Sequence, residues 1–222
     1  LRSFIQNPHE DVYTMRWLDS EGRLFPFGGI GLDAELLNDY EWVKEVSSNT
    51  AISPAFTNVG GYFAALFSRT IPRKMKGVVQ PNRVNLKVTN GNGRAWLMAH
   101  DGTRAKEFAP GEVMYEGEML CAITGTCPYY GYGLKVLPYA AEDSKLMNIR
   151  IVNTPLQIVL ANLRTVWDGT YRHDQMFDFL AEDVHFTTSV EVPYQEAGDA
   201  MGMRDKLRIR VAPQSIRLIR FI

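Results

Sequence analysis

Between Asn82 and Leu137 short runs of alternating apolar and polar residues are broken at close intervals by turn residues, a pattern that a succession of short β-strands satisfies. Val84, Leu86 and Val88 alternate before Asn90-Gly91-Asn92-Gly93, and Ala95, Leu97 and Ala99 alternate after it, which reads as a hairpin. Asp101-Gly102 and Pro110-Gly111 continue the punctuation, and Met119, Cys121 and Ile123 supply a further run. Strands this closely spaced imply a sandwich or a barrel.

The flanking segments add strands and a few helices. Val12 to Leu18 and Arg23 to Phe27 read as a hairpin around Asp19-Ser20-Glu21-Gly22. Gly28, Gly29 and Gly31 then loosen the backbone before Asp33, placed to cap a helix whose Leu36, Leu37, Tyr40 and Val43 share a face. A second helix is predicted from Asn58 to about Thr70, with Val59, Tyr62, Phe63, Leu66 and Phe67 at three- and four-residue steps. Such an aromatic stripe is ordinarily core, although the wall of an acyl-chain pocket needs the same residues. Arg69, Arg73, Lys74 and Lys76 follow, suited first to the helix dipole and second to an anionic membrane.

After a strand at Leu146 to Val152, Thr154, Pro155 and Gln157 predict a capping box for a helix with Leu156, Val159, Leu160, Leu163, Val166 and Trp167 on one face and Gly169 at its end. Strands are expected again at Val184 to Val190, Leu207 to Val211 and Ile216 to Phe221. Neither a repeat nor an interdomain linker is evident in the 222 residues, which are read as a single domain over 1–222.

Charge and composition exclude several classes. A formal charge of −1 argues against a general nucleic-acid binder, and no apolar run approaches the ~18 residues of a spanning helix. Cys121 and Cys127 are too few for a disulfide scaffold and are read as reduced. His9, His100, His173 and His185 lack ligand spacing, so no metal is expected on this chain. Phosphate loops and hydrolase or metalloprotease signatures are missing, and Asp101-Gly102-Thr103 sits between two expected strands, where a hairpin turn is the natural use.

The chemistry concentrates in Tyr194 to Val211, two strands joined by a glycine-bearing turn that displays acids. Leu207, Ile209 and Val211 alternate with Arg208 and Arg210, and Asp199 is expected at the rim of the sheet. A carboxylate held there accepts a proton from a hydroxyl, as phosphoryl transfer to an alcohol requires. Turns rich in acids are also common without any such role. Tyr129 and Tyr130, with the glycines around them, form either a ligand surface or a turn with partly buried rings.

Three segments in this order, Gly28-Gly29-Ile30-Gly31-Leu32-Asp33-Ala34-Glu35, Tyr130-Gly131-Tyr132-Gly133 through Pro138, and Ala197-Gly198-Asp199-Ala200-Met201-Gly202, carry a resemblance over most of the chain. They are similar to the Gly-Phe-Asp-Ala-Glu helix start, the Gly-Gly-Gly segment leading to Ala-Pro, and the Asp-Gly-Glu-Pro-Leu-Gly turn of the C-terminal domain of diacylglycerol kinase and sphingosine kinase-like lipid kinases. The resemblance implies a mainly β, α+β fold, a two-layer antiparallel β-sandwich with a few peripheral helices. It also implies an upstream nucleotide-binding domain with a Gly-Gly-Asp-Gly-Thr loop, which these residues do not contain.

By the same resemblance Asp199 replaces the glutamate implicated as base on the lipid hydroxyl, Asp33 and Glu35 fall where the headgroup is recognised, and Tyr62, Phe63 and Phe67 line the acyl chain. ATP and Mg2+ would serve the complete enzyme and neither would bind this chain alone. The expected partners are a lipid substrate and the nucleotide-binding domain, with membrane contact at the inner cytoplasmic face and a homodimer left open. Ala197 replaces a family aspartate, and Ser144, Lys145 and Asn148 replace Asp, Gly and Asp in a segment linked to a structural magnesium. A non-catalytic lipid carrier and a purely structural domain are the competing classes.

Overall fold

The computed structural model describes residues 12–35, 83–130 and 133–219. The helix predicted from Asn58, with Tyr62, Phe63 and Phe67, lies outside them, as does the first helix beyond residues 32–35.

Among the described residues, period-two alternation and tight turns produce twelve strands: β1 (Val12–Ser20), β2 (Arg23–Phe25), β3 (Phe27–Gly31), β4 (Val84–Asn90), β5 (Ala95–Met98), β6 (Arg104–Glu107), β7 (Val113–Met119), β8 (Cys121–Gly125), β9 (Met147–Val152), β10 (Met176–Ala181), β11 (Asp183–Glu196) and β12 (Asp199–Ile219). They hydrogen-bond in the order β2-β1-β12-β11-β3-β8-β9-β10-β5-β6, and β4 and β7 branch from β11. Every pairing is antiparallel. The predicted mainly β, sandwich-like architecture is what the chain adopts.

The branch makes a sandwich possible. One edge of β11 is shared, with residues 184–188 paired to β4 and residues 194–196 paired to β3, so the sheet forks between them. Leu18, Phe25, Ile30, Leu86, Val88, Ala122, Ile149, Phe179, Phe186, Tyr194 and Ile209, drawn from nine strands and both branches, meet in one buried cluster. That is the inner face of a sheet folded over on itself, and burying it is the main stabilising term. A small apolar recess remains beside the fork, lined by Gly29, Ile30, Thr124, Phe186, Tyr194 and Ile209 among others.

The outer face of β8 and β9 is covered as well. Cys121, Ile123 and Val152 pack there with Leu137, Ala140 and Tyr171, so all of β8 and all of β9 are buried. The cover includes α1 (Leu156–Ala161) and α2 (Leu163–Trp167), two short helices in place of the single helix expected. Asn162 separates them with φ −111° and ψ 22°, its side-chain amide bonding the Ile158 carbonyl at 2.8 Å. The capping box does not form: Pro155 occupies the N-cap with no side-chain cap, and Thr154 is drawn to the Gln175 carbonyl at 3.5 Å. Gly169 does end the helical segment, with φ +71°.

Two more expectations change for tertiary reasons. Asn90 to Gly93 is no hairpin link, because β4 pairs with β11 and β7 while β5 pairs with β10 and β6. The turn is captured instead by the corner between β10 and β11: the Gly91 N–H donates to the Asp183 carbonyl at 2.8 Å and the Asn92 N–H to the Asp183 carboxylate at 3.2 Å. The Gly28, Gly29 and Gly31 segment is central strand β3 rather than loose backbone, held between β11 and β8.

Candidate functional site

The three glycine-bearing segments singled out in the sequence meet at one end of β11. Gly28 and Gly29 in β3 pair with Glu196 and Gln195, one residue from the turn Ala197-Gly198 that starts β12 at Asp199. Tyr130 closes the cluster, its hydroxyl donating to the Gly28 carbonyl at 3.0 Å and its ring stacked on Phe27 at 4.3 Å.

The turn has a definite local cause. Glu196 and Asp199 are cross-strand partners, leaving Ala197 and Gly198 as a two-residue loop with φ 52° and 92°. Two successive residues at positive φ match the twist of the flanking strands, and this selects glycine, asparagine or aspartate. Alanine lacks the side chain that makes this backbone tolerable, so the departure at Ala197 costs on the order of 1 kcal/mol of local strain. Asp199, immediately after the loop, is exposed at the rim of the sheet.

Close packing explains the glycines of β3. A Cβ on Gly28 would lie 2.7 Å from the Gln195 carbonyl oxygen, and one on Gly29 would overlap the Asp33 carboxyl. Asp33 therefore occupies the space that a side chain at 29 would fill. Residues 32–35 are helical, which carries Asp33 back over β3. Its Oδ2 accepts from Gln195 Nε2 at 2.7 Å. Burial pushes the Asp33 carboxyl from 3.8 up to about 6, against opposing hydrogen bonds from Gln195 and Tyr130. Glu35 is half-buried two residues further on.

Gln195 and Glu196 were given no role in the sequence reading, yet both are buried here. Gln195 Oε1 accepts the Gly198 N–H at 2.9 Å while its amide nitrogen holds Asp33. Glu196 turns the other way, accepting from the Tyr194 hydroxyl at 2.8 Å and from Arg23 Nε at 2.8 Å. Burial first and Glu196 second hold the Tyr194 hydroxyl well above the usual phenol range. The available signal was period-two alternation: Tyr194 faces the core, so an acid at 196 on the same face had to be buried and paired.

The direction of the Asp33 shift fixes a pH dependence. The folded state holds this proton more tightly than the unfolded chain, so its contribution to stability is fully present below about pH 4 and is lost as pH rises through about 6. Asp33→Asn is expected to remove that slope. The variant should be more stable than the wild type by on the order of 1–3 kcal/mol at pH 7.5, with the gap closing toward pH 4, the lower figure allowing for partial exposure of the residue. Urea midpoints at the two pH values check this, and a gap that does not depend on pH would contradict it.

The segment expected to depart from a magnesium site does not fit a cation. Asn148 Oδ1 accepts the Tyr139 N–H at 3.1 Å, and its Nδ2 donates to Asp178 and to the Phe179 carbonyl, each at 3.2 Å. Both oxygens of Asp178 are taken by Arg150, at 2.9 and 2.8 Å. The amide and the guanidinium leave no donor set for a metal, and no cluster of three or more His, Cys, Asp or Glu able to hold one exists among the described residues. Cys121 is buried and its thiol is held protonated, by burial first and by the nearby Asp33 and Glu35 carboxyls second.

Fold and site together define a β-sandwich domain that gathers three glycine-bearing segments around an acid-carrying hairpin turn. Residues 98–220, more than half of the chain, match the family described as the YegS C-terminal NAD kinase beta sandwich-like domain, and the chain belongs to that family. This family description agrees with the C-terminal β-sandwich domain that the resemblance read from the sequence implies. A protein assigned as a diacylglycerol kinase in Bacillus anthracis str. Sterne has a similar structure, with TM-score 0.54 and 19% identity over 91% of this chain and 55% of that one. A second structure, of a diacylglycerol kinase from the same organism, gives TM-score 0.49 and 14% identity over 91% of this chain and 52% of that one. The chain thus spans about half the length of these structures, and at 19% identity the likeness to the first of them shows the fold. No curated protein matches the chain in sequence.

Proposed function

We propose that this chain is the lipid-binding C-terminal domain of a diacylglycerol kinase-like enzyme that transfers the γ-phosphoryl group of ATP to a lipid hydroxyl. The observation that supports it is the convergence of all three resembling segments: Asp33, Tyr130 and the Ala197-Gly198-Asp199 turn are joined through Gln195 and Gly28, although Asp33 and Gln195 are 162 residues apart in the chain. In this reading Asp199 accepts the proton of the lipid hydroxyl as it attacks, and Asp33 and Glu35 hold the headgroup. Tyr62, Phe63 and Phe67, outside the described residues, accept acyl chain. The recess at the sheet fork is too small for that purpose, at about 170 Å³ of empty space that includes open solvent.

ATP and Mg2+ are supplied by a nucleotide-binding domain outside these residues. This chain holds a proton acceptor and a lipid and performs no step on the nucleotide. No described helix is long and apolar enough to cross a membrane, and contact with the inner, cytoplasmic face of a membrane is part of the proposal. The test is ATP-dependent phosphorylation of diacylglycerol and related lipids in mixed micelles by the full-length protein and by its Asp199→Ala variant. Wild-type turnover lost in the variant supports the reading, and equal activity removes Asp199 as base.

A non-catalytic lipid carrier is the second reading. It is favoured by Ala197 in place of the turn aspartate and by Asn148 and Arg150 saturating the acid Asp178. Lipid bound at stoichiometric level by a wild-type protein that never phosphorylates it would select the carrier.

A further inference from the structure

Gln195 is an uncharged residue buried to 3% exposure with both ends of its amide engaged. One end donates to Asp33 Oδ2 at 2.7 Å and the other accepts the Gly198 N–H at 2.9 Å. Only one orientation of the amide works, because a carboxylate needs a donor and a backbone N–H needs an acceptor. The backbone of Gln195 is fixed independently by its pairing with Gly29 and Ala200 in the neighbouring strands. The next peptide is anchored as well, the Ala197 N–H donating to the Phe27 carbonyl at 2.8 Å.

We propose that Gln195 is the positioning residue of this site: its amide ties the carboxyl of Asp33 to the turn that presents Asp199, so that the two acids are held in one frame. Gln195 touches neither substrate nor nucleotide in this scheme and acts through the groups at its two ends. The seat of the turn and the charge state of Asp33 are thereby coupled. Ionised Asp33 draws the amide nitrogen, and the same rigid amide plane presents its oxygen to Gly198. The other groups facing Asp33 are the Tyr130 hydroxyl, which bonds it, and the protonated thiol of Cys121, which also feels Glu35 and, in the opposite sense, Arg150. The Gly198 N–H itself donates to Gln195 Oε1, so the coupling runs through residue 195.

The catalytic part of the inference rests on the kinase reading and the tether itself does not, which lets an experiment separate them. Gln195→Glu keeps an acceptor for Gly198 but sets a carboxylate against Asp33, while Gln195→Leu removes both contacts at similar size. In the full-length protein, the Asp33 carboxyl titration read by carbon NMR is expected to move up by about one pH unit or more in Gln195→Glu, since two carboxyls then share a proton. Gly198 amide exchange should stay within about twofold of wild type in that variant and rise at least about tenfold in Gln195→Leu. The acid limb of the pH profile for lipid phosphorylation should follow the Asp33 titration upward in Gln195→Glu, a response that simple loss of folded protein does not give.

An unmoved Asp33 titration in Gln195→Glu, or unchanged Gly198 exchange in Gln195→Leu, overturns the tether. A titration that moves while the pH profile stays put overturns its role in positioning. Wild-type protein that phosphorylates no lipid overturns the kinase reading instead, and the two NMR measurements still decide the tether.

Discussion

Asp178→Ala is expected to lower the unfolding free energy by about 3–5 kcal/mol, the cost of stranding a buried charge. Arg150 is 2% exposed and donates to both oxygens of Asp178 at 2.9 and 2.8 Å. Removing the carboxylate leaves a guanidinium away from water with no counter-charge, and it also takes a hydrogen-bond partner from Asn148. Domains of this kind hold only about 5–15 kcal/mol in total, so the loss will show as a large fall in urea midpoint. Arg150→Met together with Asp178→Leu should regain most of it, because apolar residues of similar volume avoid the desolvation cost of both charges. A double variant as unstable as the single one would mean that the ion pair is not what the site needs.

Asp199→Ala should do the reverse, leaving the fold alone and, on the proposed kinase reading, removing the chemistry. The side chain is exposed at the start of β12, so its loss should change stability by no more than about 0.5 kcal/mol. If Asp199 is the base on the lipid hydroxyl, kcat of the full-length enzyme should fall by about 10²–10⁴, the usual worth of a positioned general base. KM for the lipid should change little, since the interaction with the proton strengthens only as the hydroxyl attacks. Asp199→Glu, which installs the longer acid that the resemblance implies at this position, should on the same reading retain activity well above the alanine variant. Steady-state kinetics on mixed micelles decide the matter, and an alanine variant within about threefold of wild type rules this residue out.

The contrast between these two acids shows why only one was singled out from sequence. Asp199 lies in a local signal, a glycine turn between alternating strands, and a two-residue loop depends on little beyond its own backbone. Asp178 and Arg150 lie 28 residues apart, and in a half-exposed strand their alternation with Ile149 and Phe179 would point them at solvent. Burial of the outer face of β9 beneath a second layer reversed that expectation. Asn148 was noticed because it departs from an acid that the resemblance implies, but the amide and guanidinium network around it became visible only with its partners in place.

Strand periodicity, turn chemistry and the order of three glycine-bearing segments were determined by the sequence alone, because each depends on residues a few positions apart. They were enough for a β-sandwich and for a place in its family. Which strands pair was decided elsewhere. The loop Asn90 to Gly93 looked like a hairpin and became a crossing, since Asp183, about 90 residues away, offered its N–H groups better partners than β4 and β5 offered one another. The seating of Asp33 over Gly29, its proton held up to about 6, and its link through Gln195 to the turn of Asp199 likewise belong to the tertiary structure. Desolvation and hydrogen bonding between distant segments are set by who becomes a neighbour, and that information is nonlocal in the chain.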